Sequence, residues 1–337
     1  MTGKLKSIAK FLLFFGLGVG LLVLAFVNLN LNYEALLDGF RNANYFWIFM
    51  AVTVSLSSHL VRALRWNLML EPLGKKPSGM NAFNAVMIGY LFNFAIPRMG
   101  EVSRCGILNR TDRIPMHESL GTVVVERVFD MLILLALTAG VLVIEFDTLY
   151  SFFSETFFTP LEEKIAGFPA AYGVIALLIL LLVGYLVYRS RVHLLQMTLI
   201  AKIVNLIRGF GNGFASVFKL KSPGMFFLQT ALIWGLYFLN TYCYLMAIDE
   251  TSHIGISAAM SILVVGTFGF AAPVSGGIGA YHIFVAKGLA LYGVSSLGGG
   301  VFGFVSHGMQ MLMILAVGTF SLIYTFIQER KQLSKEA

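Results

Sequence analysis

Charge is what this chain has least of. Only 12% of its 337 residues are Asp, Glu, Lys or Arg, against about 25% in an ordinary soluble domain. That scarcity excludes a soluble globular protein. Cysteine is nearly absent too: Cys105 and Cys243 provide no disulfide framework and no metal motif, and read as small packing residues. Strand-like alternation of apolar and polar residues is missing, which disfavours a β-barrel. No Lys-Ser or Lys-Thr follows the glycine-rich stretch at 275–279, so a phosphate loop for nucleotides is rejected. No His, Asp and Glu cluster has ligand spacing, so neither a metal nor another cofactor is expected. Basic residues are not interleaved with aromatics or gathered into a domain, so the net charge of +7 does not point to nucleic acid.

What the chain does contain is apolar: 58% hydrophobic residues, 30 Phe and 34 Gly, with a mean hydropathy of +0.81. This composition predicts an all-α polytopic membrane protein. Lys4, Lys6 and Lys10 precede an apolar run from Phe11 to Val27 that ends in Asn28-Leu29-Asn30. No small-residue cleavage site follows, so the run reads as a retained signal anchor.

Six full spans are expected at about 9–29, 45–68, 119–144, 169–188, 224–247 and 299–327, each near or above the ~20 residues a bilayer requires. Residues 81–97 and 256–293 are harder to thread. If 81–97 crossed, Arg98, Arg104, Arg110 and Arg113 would lie opposite Lys75 and Lys76. Drawn instead as re-entrant hairpins, 81–116 and 256–294 leave 20 of the 24 Lys and Arg on the cytoplasmic side. Arg41 and Lys164 then remain outside, while Arg127 and Lys287 lie at membrane depth. Cytoplasmic enrichment of Lys and Arg favours this threading, with both termini in the cytoplasm. The localisation expected is the cell membrane, as in a bacterial inner membrane.

The same threading makes the order helix, hairpin, helix occur twice with opposite orientation, an inverted-topology repeat. A sequence repeat agrees with it. Phe94-Ala95-Ile96-Pro97-Arg98-Met99-Gly100 recurs as Phe270-Ala271-Ala272-Pro273-Val274-Ser275-Gly276, an offset of 176 residues (270 − 94). Paired, Pro/Gly-interrupted apolar segments at matching places in two halves point to a transporter binding site. We divide the single transmembrane domain into an N-terminal anchor (1–44), a first repeat (45–144), a connecting span and linker (145–223), a second repeat (224–327) and a tail (328–337). Residues 189–223 read either as a basic amphipathic helix on the cytoplasmic leaflet or as an ordinary solvated linker.

Glu126-Arg127-Val128-Phe129-Asp130 lies inside an apolar run. At a rise of ~1.5 Å per residue from 119, these charges reach mid-membrane. Ionisable groups there cost about 2.5–3.5 kcal/mol each and face a bundle interior or a wet cavity. Glu126 and Asp130 share a helix face at i and i+4 and need cations; Arg127, Arg98 and Arg104 are the candidates. Arg98, Glu101 and Arg104 follow Pro97 in the first hairpin. The two Arg suit bidentate phosphate binding, or equally a salt-bridge network that fixes the hairpin. Ser275-Gly276-Gly277-Ile278-Gly279 offers backbone amides for an anion, with Ser275, Gly276 and Gly277 as the candidate binding residues; the plainer reading is close helix approach by small residues. Arg62, Arg65 and Trp66 read as interfacial anchors, and His59 as a packing group.

At these residues the chain resembles the flippase-like transmembrane domain of lysylphosphatidylglycerol synthases and its stand-alone relatives. The pieces that carry the resemblance are Arg62-Ala63-Leu64-Arg65-Trp66, Asn93 through Arg104, Glu126 through Asp130, and Pro273 through Gly279. Where the family pattern has Pro-Gly-Gly, this chain has Ser275-Gly276-Gly277. The resemblance implies movement of a lipid or lipid-linked substrate between leaflets. It implies no aminoacyl-transferase activity, since the soluble domain that carries it in the synthases has no counterpart in 328–337.

The expected function is therefore a non-enzymatic lipid flippase or translocase for an anionic phospholipid or polyprenyl-linked phosphate. Two other classes stay open on sequence: an accessory membrane subunit of a lipid or glycan synthase, and an intramembrane lipid-modifying enzyme using Glu126 or Asp130. The expected partners are membrane lipid together with a second copy of the chain or a synthase, and no nucleic acid.

Overall fold

The computed structural model describes residues 16–147 except Asn30 and Asn32, together with Tyr150 and residues 217–336. The expected span at 169–188 and the amphipathic stretch before residue 217 lie outside the described residues. The chain forms one body from residues 1–144 and 217–337, with 145–216 a separate unit.

Within the described residues, helices supply all the regular structure. In chain order they are α1 (Gly16–Asn28), then α2 (Tyr33–Asn42), α3 (Tyr45–Leu70), α4 (Gly79–Ala95), α5 (Met99–Asp112) and α6 (Met116–Ile144). After the separate unit come α7 (Pro223–Ala247), α8 (Gly255–Ala271), α9 (Ala280–Ala290) and α10 (Ser296–Glu336). The second half thus repeats the element order of the first. A long helix, two short ones and a long one form α3 to α6 and again α7 to α10.

Local chemistry sets the boundaries. The Asn44 side chain accepts from the Phe46 amide at 3.1 Å and starts α3. The Ser78 hydroxyl caps α4 through the Asn81 amide at 3.0 Å, as N-cap serines do. Pro97 forbids Ile96 the helical region, so Ile96 turns extended and α4 stops. Pro273 acts in the same way on Ala272 at the end of α8.

Each pair of short helices folds back on itself. In the first, Asn81 donates to Asp112 at 3.1 Å, and the Gly100 amide donates to the Asn93 side chain at 2.7 Å. Between these contacts, a Cβ on Gly89 would lie 2.9 Å from the Gly100 carbonyl oxygen. Partners thus run in opposite directions about a turn at 96–98, and only glycine lets the arms approach this closely. In the second pair, a Cβ on Gly269 would lie 2.8 Å from Tyr281 Cα. Farther from its turn, Tyr292 donates to Ser261 at 2.7 Å.

The halves interlock. α3 and its counterpart α7 lie side by side and antiparallel: the Asn44 amide reaches the Ala247 carbonyl at 2.8 Å, and Arg65 reaches Thr230 at the other end. α4 packs on α10 and α8 on α6. The two turns meet, because Phe94 of the first sits where a Cβ on Gly276 of the second would be. The repeated sequence motifs therefore touch one another.

Three described helices are long and apolar enough to cross a membrane: Tyr45–Leu73, Met116–Ile144 and Ser296–Lys331. The α1–α2 pair, bent by 88°, makes up to four. α7 has the length, at 25 residues, but Gln229, Thr230, Asn240 and its Tyr and Trp residues lower its hydropathy. Leu135, Val143, Phe320 and Ile323 lie exposed on α6 and α10, as lipid-facing positions would.

Candidate functional site

Three helices of the first half bring charges together, and α7 of the second half adds polar groups. α3 contributes Arg62 and Arg65, three residues apart on one face. α5 contributes Glu101 and Arg104 with the same spacing, and α6 contributes Glu126, Arg127 and Asp130. α7 adds Thr230 and Tyr237.

Glu126 is the centre and is fully buried. Arg62 pairs with its Oε1, Arg104 donates to its Oε2 at 3.0 Å, and Arg65 lies 3.7 Å away. Asp130 accepts from Arg65 at 2.8 Å and from Arg62 at 3.0 Å. Further guanidinium donors are placed by neutral groups. Arg62 donates to the Tyr237 hydroxyl at 2.9 Å, and Arg65 to the Thr230 hydroxyl at 3.0 Å. The Arg104 guanidinium sits 4.6 Å above the Trp66 ring, within cation–π range. Trp66 is itself fixed through Thr122, at 2.9 Å. Buried charges persist only when paired and hydrogen-bonded in this way.

The arrangement differs from the sequence expectation in its partners. Arg104 does hold Glu126. Arg127 also pairs with Asp130 at 3.9 Å, as its i, i+3 spacing expects, but its closer bond is to Glu101 at 2.9 Å. Arg98 takes no part: it is exposed at the turn in a left-handed conformation (φ 63°), with no ion pair among the described residues. The partners missed were Arg62 and Arg65, 3% and 0% exposed, which are network residues and not interfacial anchors. Their i, i+3 spacing, matching the face that Glu126 and Asp130 define on α6, was the available signal.

The network holds more positive than negative charge. Arg62, Arg65, Arg104 and Arg127 face Glu101, Glu126 and Asp130, an excess of one (4 − 3). Beside it lies a small recess lined by Gly89, Tyr90, Asn93, Glu101, Arg104 and Arg127. Two of its groups, Glu101 Oε2 and Arg104 Nε, are buried with no hydrogen-bond partner among the described residues. The recess thus presents one unmet acceptor and one unmet donor, the pattern of a site that takes a polar group.

The second turn is arranged otherwise. Ser275 and Gly277 are buried, and the Ser275 hydroxyl has no partner among the described residues. The amides of Gly277, Ile278 and Gly279 already serve Val274, Ser275 and His282, so three amides of the expected anion cradle are occupied. The glycines allow close approach: Gly276 meets Phe94, and Gly277 meets Phe270, whose ring would lie 2.7 Å from a Cβ there. All three of Gly276, Gly277 and Gly279 also have positive φ.

Comparison with known proteins places the chain. The family model of the lysylphosphatidylglycerol synthase transmembrane region matches residues 13–318, and the chain belongs to that family. A UPF0104 membrane protein of Methanocaldococcus jannaschii is 26% identical over 187 residues, covering 55% of this chain and 51% of that protein. The chain thus matches about half the length of that curated relative. No solved structure matches the chain. The protein is a membrane protein of this family.

Proposed function

We propose that this member of the lysylphosphatidylglycerol synthase transmembrane-region family moves an anionic lipid or lipid-linked phosphate between leaflets, without catalysing a reaction. In this reading α4–α5 and α8–α9 are re-entrant hairpins entering from opposite faces, within six full spans related as an inverted repeat. The antiparallel pairing of α3 with α7 supports it, since repeats related by an axis in the membrane plane must run in opposite directions.

One observation carries the proposal. Two Pro/Gly-broken hairpins meet tip to tip, at Phe94 and Gly276, beside a buried network with one surplus positive charge. The excess calls for an anion, and polar groups at membrane depth are too costly to serve packing alone. Arg98 is held out at the tip in a backbone region that non-glycine residues rarely occupy, at a cost on the order of 1 kcal/mol. It is placed to meet a head group before Arg104 and Arg127 do. Acyl chains remain in the bilayer while the head group follows the polar path. Glu126 and Asp130 are each locked by guanidinium groups, which suits a scaffold better than an acid/base pair.

The test is leaflet exchange of a phosphate-bearing lipid in vesicles containing the purified chain. Exchange should exceed that of empty vesicles, and Arg98→Ala with Arg104→Ala should slow it while the protein stays folded. Exchange equal to empty vesicles across anionic lipids, with an ion gradient supplied, would overturn the proposal in favour of an accessory subunit.

A further inference from the structure

The recess beside the charge network has a closed floor and an open mouth. On the floor, Arg104 is 4% exposed, donates to Glu126 Oε2 at 3.0 Å and lies over the Trp66 ring. Its Nε is a buried donor without a partner among the described residues. At the mouth, the Arg127 and Glu101 side chains are 43% and 24% exposed and bond one another at 2.9 Å through Glu101 Oε1. Glu101 Oε2 remains a buried acceptor without a partner among the described residues.

The walls are close. A Cβ on Gly89 would lie 2.9 Å from the Gly100 carbonyl oxygen and 3.3 Å from Arg104 Cβ, so α4 presses directly on α5. Asn93 accepts the Gly100 amide at 2.7 Å, which fixes it against α5. The space left holds about one water-sized group. A ligand therefore reaches both unmet atoms only through neighbouring atoms of one small group.

Three conditions follow for that group. It donates to Glu101 Oε2, it accepts from Arg104 Nε, and it carries the negative charge that offsets the surplus of one in the network. Water meets the first two and not the third. A carboxylate or a phosphodiester meets the last two, but ionised it has no O–H to donate. An amine donates, but the anionic oxygens of its head group lie several bonds away. A phosphate monoester with one proton meets all three, because P–OH and P–O⁻ share one phosphorus and the charge is −1.

We propose that this recess binds the terminal phosphate of a lipid as its monoanion, with the P–OH donating to Glu101 Oε2 and the ionised oxygens accepting from Arg104 Nε and from Arg127. Arginine suits the second role, since its planar donors match phosphate geometry. Glu101 supplies the selectivity. A diester leaves its buried oxygen unmet, and a dianion sets a second negative charge against it. The lipid part rests on the function proposed above; the phosphate site does not.

Calorimetric titration of the purified full chain in detergent tests the site without requiring transport. The probes are dihexanoyl phosphatidic acid, a monoester, and dihexanoyl phosphatidylmethanol, a diester with no hydroxyl. At about pH 5.5 the monoester should bind roughly tenfold or more tightly, the effect of one unmet buried acceptor. The ratio of affinities should fall roughly twentyfold between about pH 5.5 and about pH 7.5, as a phosphate with its second pKa near 6 loses its proton. Around the recess stand Tyr90 of α4, Glu101 and Arg104 of α5 and Arg127 of α6. Behind them are Glu126 and Asp130 of α6, Arg62 of α3, Tyr237 of α7, and His59 of α3 stacked on Tyr90 at 4.6 Å. Both probes meet these groups alike, so the ratio isolates the titration of the ligand.

Glu101→Gln keeps an acceptor for Arg127 and turns the unmet acceptor into a donor. The diester should then bind nearly as tightly as the monoester, and the pH dependence of the ratio should disappear. The wild-type ratio is decisive even if that variant does not fold. Equal wild-type affinities, or a ratio that ignores pH, would overturn the proposal. Dihexanoyl phosphatidylglycerol binding as tightly as the monoester would assign the donor to a head-group hydroxyl and overturn the terminal phosphate. Inorganic phosphate binding as tightly as the monoester would overturn the lipid part. Selective binding in a chain that moves no lipid would support the site and overturn only the transport reading; lipid exchange without selective binding would overturn the site and leave transport standing.

Discussion

Asp130→Asn is the sharpest test of the charge network. The carboxylate accepts from Arg65 at 2.8 Å and Arg62 at 3.0 Å, with Arg127 at 3.9 Å. The amide has the same shape but one acceptor and one donor, so it satisfies one guanidinium and opposes the other. The substitution also raises the surplus charge from one to two (4 − 2). Removing one partner of a buried ion pair costs about 3–5 kcal/mol, a large share of the roughly 5–15 kcal/mol that holds an ordinary domain together. The side chain is 12% exposed, so water offsets part of this and the lower figure applies. Thermal unfolding in detergent should show a Tm lowered by roughly 5–10 °C. Added anionic phospholipid should recover more of that loss in the variant than in wild type, because it supplies the missing charge. Arg65→Met combined with Asp130→Leu should cost less than the sum of the two single changes, as coupled partners do. Wild-type Tm for Asp130→Asn, or strict additivity in the double variant, would refute the network as a stability element.

The threading predicts that Arg110→Cys labels only from the cytoplasm and Asp249→Cys only from outside; reagent reaching position 110 from outside would end the inverted-repeat reading. Gly276→Ala should disturb the contact between the tips, through its clash with Phe94 and through a left-handed φ of 60°, which costs about 1–2 kcal/mol in a residue with a Cβ. Phe94→Ala in the same chain should recover the clash and leave the backbone cost, read as a partial return of Tm. Double-variant loss as large as the sum of the singles would show that the tips do not touch.

Much of the architecture is written in local chemistry. Pro97 and Pro273 end α4 and α8 where the sequence places the breaks, because proline removes a donor and excludes the helix from the preceding residue. The repeat at 94–100 and 270–276 marks two turns that meet. Glu126 and Asp130, one turn apart in an apolar run, announce that cations must face them. Which cations was decided elsewhere. Arg62 and Arg65 lie 64 and 65 residues from their carboxylate partners, and beside Trp66 near a helix end they match an interfacial anchor in one dimension. Only the packing of α3 between α6 and α7 turns that face inward. Arg98, nearer in sequence than either, is turned away by its own left-handed backbone. The glycines at 276–279 carried two meanings in sequence, an amide cradle or close approach. The choice lay with nearby Phe270 and His282 and with Phe94, 182 residues away (276 − 94), which occupy the space and one of the amides. Periodicity and breakers depend on neighbours along the backbone and are legible there; the partner of a buried charge depends on which helices touch, and only the tertiary fold determines that.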